Sequence, residues 1–315
     1  MRSPRTPEGK DPAESLATAM ERFGPVEARF RQVYHMRLPR HLAVFAAFWD
    51  ALPAAAAACL TERLGLYPWG ITTLFADGGL DRTPRDGLDE RLDCRFRRDP
   101  AEFVTVMGGD TDGLHFGLWY DDPAELPSFV AYNYARDSAE TWTAQAATVL
   151  QQIRIRLDDA RADAQADGPE HYAGMPPFEP LAAALDAFAG ADAAALAADG
   201  PRRWAGAPRI RAAITIGPAL PAEAGSARSA LDTYRDPAAA AEVIAAARAE
   251  LAAGRAAAAL LAGGELHWLD DDRYRAEATE LLTGAYRALG RDALADIIAV
   301  HHAHRDLRSV DVLVP

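Results

Sequence analysis

The stretch EFVTVMGGDTDGLHFGLWYDDPAELPSFVAYNYA, residues 102–135, carries the reading of the fold. In EFVTVM, Phe103 and Thr105 fall on one face of an extended chain, and Val104 and Val106 on the other. LHFGLWY and FVAYNYA repeat that pattern. Between the first two runs, Gly108, Gly109, Asp110, Thr111, Asp112 and Gly113 supply positive-φ conformations and short side-chain-to-backbone bonds, so a hairpin turn is expected there. DDPAELP is a second turn, started by Asp122-Pro123 and closed by Pro127. GITTLFA and LDCRFRR, upstream, share the β-branched and aromatic character. Five mostly antiparallel strands are therefore expected between about residues 70 and 135.

The flanking pattern is helical. In HLAVFAAFWDAL, residues Leu42, Phe45, Phe48, Trp49 and Leu52 share a face and Pro53 stops the helix. PAAAAACLTERLG ends a second helix at Gly65. A long helix is expected from Asp137 or Ser138 through DSAETWTAQAATVLQQIRIRLDDARADAQA, with Glu140 in its first turn. RIRAAITIGPAL reads as one more strand, and three helices follow Pro237, with Gly290 capping between the last two. The expected organisation is a flexible tail over 1–12, an N-terminal helical segment over 13–69, and an antiparallel sheet plus long helix over 70–164. An Ala/Pro/Gly-rich linker with one short helix follows over 165–207, and a strand with C-terminal helices fills 208–315. The fold class is α+β.

Composition narrows the function. A formal net charge of -13 repels phosphate, so neither nucleic acid nor a membrane is expected as a partner, and a cationic protein surface suits the chain better. Two cysteines, Cys59 and Cys94, make neither a disulfide framework nor a zinc site, and the N-terminus has no apolar leader, so a cytoplasmic protein is expected. Asp110, Asp112 and Gly113 imitate the start of a calcium loop but lack its terminal glutamate. His301 and His304 are spaced to share a metal on a helix, yet cations at a helix C-terminus also complement its dipole, and no His-Glu-x-x-His is present. No metal and no cofactor are expected, and no P-loop, dinucleotide fingerprint or nucleophile elbow occurs.

DPAEFVTVMGGDTDGLHFGLWYDDPAELPSFVAYNYARDS resembles the histone PARylation factor family at Asp99, Pro100, Glu102, Phe103, Gly109, Asp110, Gly117, Pro123, Glu125, Leu126, Pro127 and Asn133. ELLTGAYRALGRDALADIIAVHHAHR resembles that family's last two helices at Leu281, Leu282, Ala285, Tyr286, Ile297, Ile298, His301 and Arg305. The resemblance implies an accessory protein that docks on an ADP-ribosyltransferase, completes its site with a glutamate and directs ADP-ribose onto serine. It places the catalytic glutamate just upstream of GGELHWLDDD. The nearest acids are Glu250, in AELAAG, and Glu265, within the stretch. It also suggests Tyr234 and Arg235 as a partner-contact pair, alongside Asp110, Asp112 and His115 on the sheet. The expected function is a non-catalytic modulator of ADP-ribosylation acting through a protein partner. The alternatives are a protein-binding or immunity module of the knr4/smi1-like kind, and a cryptic enzyme built on Asp110, Asp112 and His115.

Overall fold

The computed structural model describes residues 8–168 and 173–315. Residues 1–7 of the expected tail, and 169–172, lie outside them. Gly9 to Asp11 run against the end of a later helix, where the Lys10 amide donates to the Ala51 carbonyl at 3.3 Å.

Helix α1 (Pro12–Tyr34) starts where the Asp11 carboxylate accepts the Ala13 amide at 2.9 Å and Pro12 occupies the first turn. Its buried residues, Ala19, Phe23, Val26, Phe30 and Tyr34, follow the helical period. α2 (His41–Ala51) is buried on nearly every side. α3 (Ala54–Ala58) runs into a π turn over Cys59–Arg63.

The sheet contains β1 (Leu66–Pro68), β3 (Phe103–Gly109), β4 (Leu114–Trp119), β5 (Phe129–Tyr134) and β6 (Thr141–Ala146), in the order β1-β3-β4-β5-β6, every pair antiparallel. A separate ladder joins β2 (Thr83–Pro84) to β7 (Leu313–Val314). Helices α4 (Val149–Asp167) and α5 (Glu179–Asp199) follow the sheet. α6 (Pro237–Ala252), α7 (Ala257–Leu269), α8 (Arg275–Ala288) and α9 (Asp292–Ala303) complete the chain. The protein is α+β, with helices at both ends of an antiparallel sheet.

Six expectations need correction. Four α-helices follow from Pro237 where three were expected, α7 being the additional one. GITTLFA is a 3-10 helix, Gly70–Phe75. Gly70 holds φ 56°, and a Cβ there would sit 2.2 Å from the Thr105 carbonyl oxygen, so the segment turns tightly on β3 instead of extending. LDCRFRR is a run of turns with Cys94 at φ 55°. The helix expected from Asp137 begins at Val149: residues 141–146 form β6, and the true cap is Thr148, whose hydroxyl accepts the Gln151 amide at 3.2 Å. RIRAAITIGPAL forms only an isolated bridge, Arg209 with Ala219.

The expected linker holds α5, a helix of 21 residues, long and apolar enough by length and composition alone to cross a membrane. It packs instead on α2, with Phe48 edge-on to Phe188 at 5.8 Å. Its buried Asp192 takes the Thr148 hydroxyl at 2.5 Å, and burial pushes that carboxyl up to about 6.

The hairpin read at 108–113 is present. Gly108 pairs with His115, and Asp112 and Gly113 hold φ 46° and 69°. Gly117 of β4 leaves room for the Phe103 ring: a Cβ there would lie 2.5 Å from it, and Phe103 is 1% exposed. Gly117→Val should therefore lower stability by about 1–3 kcal/mol, as overpacked cores do. Urea unfolding checks this, and an unchanged midpoint would mean the ring relocates freely.

Candidate functional site

Family-like residues in the DPAEF segment tie the sheet to the helical layer. The Asp99 carboxylate accepts the Phe96 amide at 2.7 Å and faces His115 Nε2 at 3.1 Å, while the Asp99 carbonyl accepts His267 Nε2 at 3.1 Å from α7. Arg95 donates to the Pro100 and Phe103 carbonyls, both at 2.8 Å. Glu102 accepts the Tyr286 hydroxyl of α8 at 2.8 Å. Asn133 donates to the Ala139 carbonyl at 3.1 Å and to Thr141 Oγ1 at 3.0 Å, shaping the β5–β6 turn. Together these contacts satisfy buried polar groups on neighbouring segments.

A narrow cleft of about 50 Å³, partly open to solvent, lies where the sheet meets the helical layer. Trp119 and Thr141 floor it, residues 212–218 form its lip, and Leu260, Leu261 and Ile298 line the helical wall. Its titratable lining includes Glu102, Glu265 and His267, with Arg98 and Tyr286. Burial raises both carboxyls above their usual range and lowers the histidine well below its own.

The lip is anchored by Asp121, which is 1% exposed. Its Oδ1 accepts from Arg209 at 2.7 Å, the Ala219 amide at 3.1 Å and Trp119 Nε1 at 3.2 Å. Its Oδ2 accepts from Ser128 and Arg209, both at 2.5 Å.

The two candidate carboxylates differ sharply. Glu265 sits inside α7, 1% exposed, with Oε2 accepting the Ala230 amide at 3.1 Å. Tyr234 is buried beside it: desolvation first, then the charge of Glu265, raises the phenol. Glu250 lies at the end of α6, its side chain 41% exposed, paired with Arg255 Nε at 2.5 Å. That guanidinium holds the Glu250 carboxyl below its ordinary value.

α6 has 16 residues, so Glu250 and Tyr234–Arg235 stand about 24 Å apart at opposite ends of one rod. The structure thus brings Tyr234 to Glu265, and neither to Glu250. Arg235 is exposed and only loosely placed near Asp232, at 3.9 Å.

On the sheet, Asp110 and Asp112 are exposed at the hairpin tip. His115 is fully buried, its Nδ1 on the Gly113 carbonyl at 2.9 Å and its ring against Phe96 and Phe103. In this structure it serves as an interior brace. It cannot act with the two aspartates as a catalytic trio in this conformation.

The histidines of α9 form a cluster that the sequence did not disclose, because its third member, His267, lies in α7. Within the described residues no group of three or more His, Cys, Asp or Glu is arranged to hold a metal ion.

The antiparallel sheet, its flanking helices and the DPAEF brace define an α+β body, and part of it is similar in sequence to known proteins. Residues 26–171 match the family model of histone PARylation factor 1. Histone PARylation factor 1 of Bos taurus is 32% identical over 115 residues, covering 36% of this chain and 33% of that protein. The Mus musculus protein is 34% identical over 106 residues, covering 33% and 31%. The chain spans about a third of the length of the curated relatives it matches. Asp110, Asp112 and His115 lie inside the matched stretch. Tyr234, Arg235, Glu250, Glu265 and the C-terminal helices lie beyond it.

Proposed function

We propose that this chain is an accessory factor of ADP-ribosylation that works by docking on an ADP-ribosyltransferase. The reading rests on one observation, the match of residues 26–171 to histone PARylation factor 1. Site geometry supports an accessory role and points to one carboxylate. Glu250 is accessible at the turn between α6 and α7, where a partner surface can reach it. Glu265 is turned inward onto Ala230.

In this reading Glu250 accepts the proton of a substrate hydroxyl in a site shared with the partner. While paired with Arg255 it is a weak base, so docking must draw the guanidinium away before the carboxylate can act. The acidic surface, net -13, favours a partner with a cationic face.

The test combines the pure chain with NAD⁺ and a transferase of the poly(ADP-ribose) polymerase class, and follows ADP-ribose transfer to a serine-containing peptide. Stimulation over the transferase alone is expected, together with no NAD⁺ turnover by the chain alone. Turnover by the isolated chain, or absence of both stimulation and binding across such transferases, would overturn the reading.

A further inference from the structure

His267 of α7 and His301 and His302 of α9 meet at the contact between the helical layer and the DPAEF segment. All three are buried, at 3%, 3% and 7% exposure. Their ring centroids lie 5.0 Å apart for His267–His302, 5.5 Å for His267–His301 and 6.1 Å for His301–His302.

Hydrogen bonding fixes the proton order. The Asp99 carbonyl can only accept, so His267 Nε2 carries a proton and donates to it at 3.1 Å. In the neutral ring His267 Nδ1 then accepts, and its partner at 2.8 Å, His302 Nε2, donates. His302 Nδ1 in turn accepts from the Thr279 hydroxyl at 2.5 Å. One added proton can be absorbed at His302, because Thr279 can turn its hydroxyl to the Arg275 carbonyl, 2.8 Å away. A second cannot: with both rings charged, two N–H groups would point at each other across 2.8 Å.

The surrounding charge does not welcome even the first proton. Arg305 donates to the His267 carbonyl and pairs with Asp270 at 2.7 Å. Arg95 approaches from the loop, its donors spent on carbonyls. Arg275 approaches from α8, shared between Asp272 and Asp306, and Arg97 lies between Asp270 and Asp306. The Asp99 carboxylate is already occupied by His115 and the Phe96 amide.

We propose that this histidine trio is an acid-sensitive latch: proton uptake by it releases α7 and α9 from the DPAEF segment while the sheet body stays folded. This holds whether or not the chain acts on an ADP-ribosyltransferase. The rings are held neutral when closed. Desolvation, then Arg305, takes His302 down to about 4, and desolvation keeps His267 and His301 well below 6.5.

An opened ring regains its ordinary value of 6.5, so the closed state is fully favoured above that pH. Its advantage is lost as pH falls from 6.5 toward the closed-state value. Between pH 7.5 and 5 the opening constant should rise about 30-fold for each histidine exposed.

Hydrogen exchange read by mass spectrometry at pH 7.5 and 5.0, corrected for intrinsic rates, tests this on the full chain. Peptides from 257–269 and 292–303 are expected to lose protection at least 10-fold more than those from 103–119. His302→Gln, which keeps a hydrogen-bonding side chain but does not titrate, should reduce that change about 30-fold, whereas the exposed His304→Gln should leave it intact. Should His302→Gln fail to fold, ring titration of the parent by NMR decides instead: a value for His302 clearly below 6.5 supports the latch, and a value at 6.5 overturns it. Equal protection at both pH values, a full pH response in a folded His302→Gln, or an ordinary His302 titration would overturn the latch.

Discussion

Asp121→Ala should cost the folded chain about 3–5 kcal/mol, the loss typical when one partner of a buried ion pair is removed. The Asp121 side chain is fully buried, and it serves Arg209, Ser128, Trp119 and the Ala219 amide at once. Truncation strands the Arg209 guanidinium, 20% exposed, together with an indole N–H and a backbone N–H, and each bears its own desolvation cost. Asp121→Asn should do little better, because its NH₂ group must face donors.

The loss should concentrate in the cleft lip. Limited proteolysis ought to cut within 204–219 before the sheet opens, and urea unfolding should give the magnitude. Asp121→Leu with Arg209→Met removes both charges and should cost less than the single Asp121→Ala change. A loss below about 1 kcal/mol for Asp121→Ala would show that the lip is held by packing alone, as for an exposed pair.

Glu250→Gln should abolish stimulation of a partner transferase by ~10² to 10⁴ while leaving the complex intact, the range expected when a general base is removed. Glutamine keeps the shape and loses the basic oxygen pair. Because Glu250 is surface-exposed and makes its ion pair only with Arg255, the fold should not notice the change. Arg255→Gln should act in the opposite sense on the carboxyl, letting its pKa rise by removing the guanidinium that depresses it.

Glu265→Gln is the contrast. It alters a buried carboxyl bonded to Ala230 and set beside Tyr234, so it should change melting temperature more than stimulated transfer. The measurement is a paired binding and transfer assay across the three variants. If Glu250→Gln stimulates like the parent, a shared-site role for Glu250 is wrong. If Glu265→Gln alone fails while folded and bound, the inward carboxylate is the one that matters.

How far these residues could be read from sequence depends on the range of the forces that place them. β3, β4 and β5 were legible because alternation and Asp/Gly turn chemistry act over a few residues. β6 was hidden by Ser138, Glu140 and an alanine run that imitate a helix start, while the real cap, Thr148, lies ten residues further on. α5 was legible only in part, as one short helix within a linker, because of its composition. Its alanines and glycines offer little periodic contrast, and only Leu181, Leu185 and Phe188 mark the buried face. α7 was absent from the three helices expected after Pro237, because Gly263-Gly264 weakens its local pattern, yet Gly263 is where α8 approaches closely: a Cβ there would lie 2.8 Å from Leu282.

For the site, residue types were legible and proximity was not. Tyr234 meets Glu265, and His267 meets His302, only because α6 to α9 fold against one another. No local pattern encodes the 35-residue separation of the two histidines.

The short ladder between β2 and β7 carries a last consequence. Leu313 and Val314 pair with Pro84 and Thr83, and the Asp93 carboxylate accepts the Val312 and Leu313 amides at 2.9 and 2.8 Å. The helical layer is therefore tethered to the sheet body at both of its ends, and its displacement is a closed-loop event. A layer loosened by acid stays within reach of its seat, and return is intramolecular, at an effective concentration on the order of millimolar. Recovery on neutralisation should then be fast and independent of protein concentration. It should slow, and become prone to exchange between molecules, once the last strand is cut away.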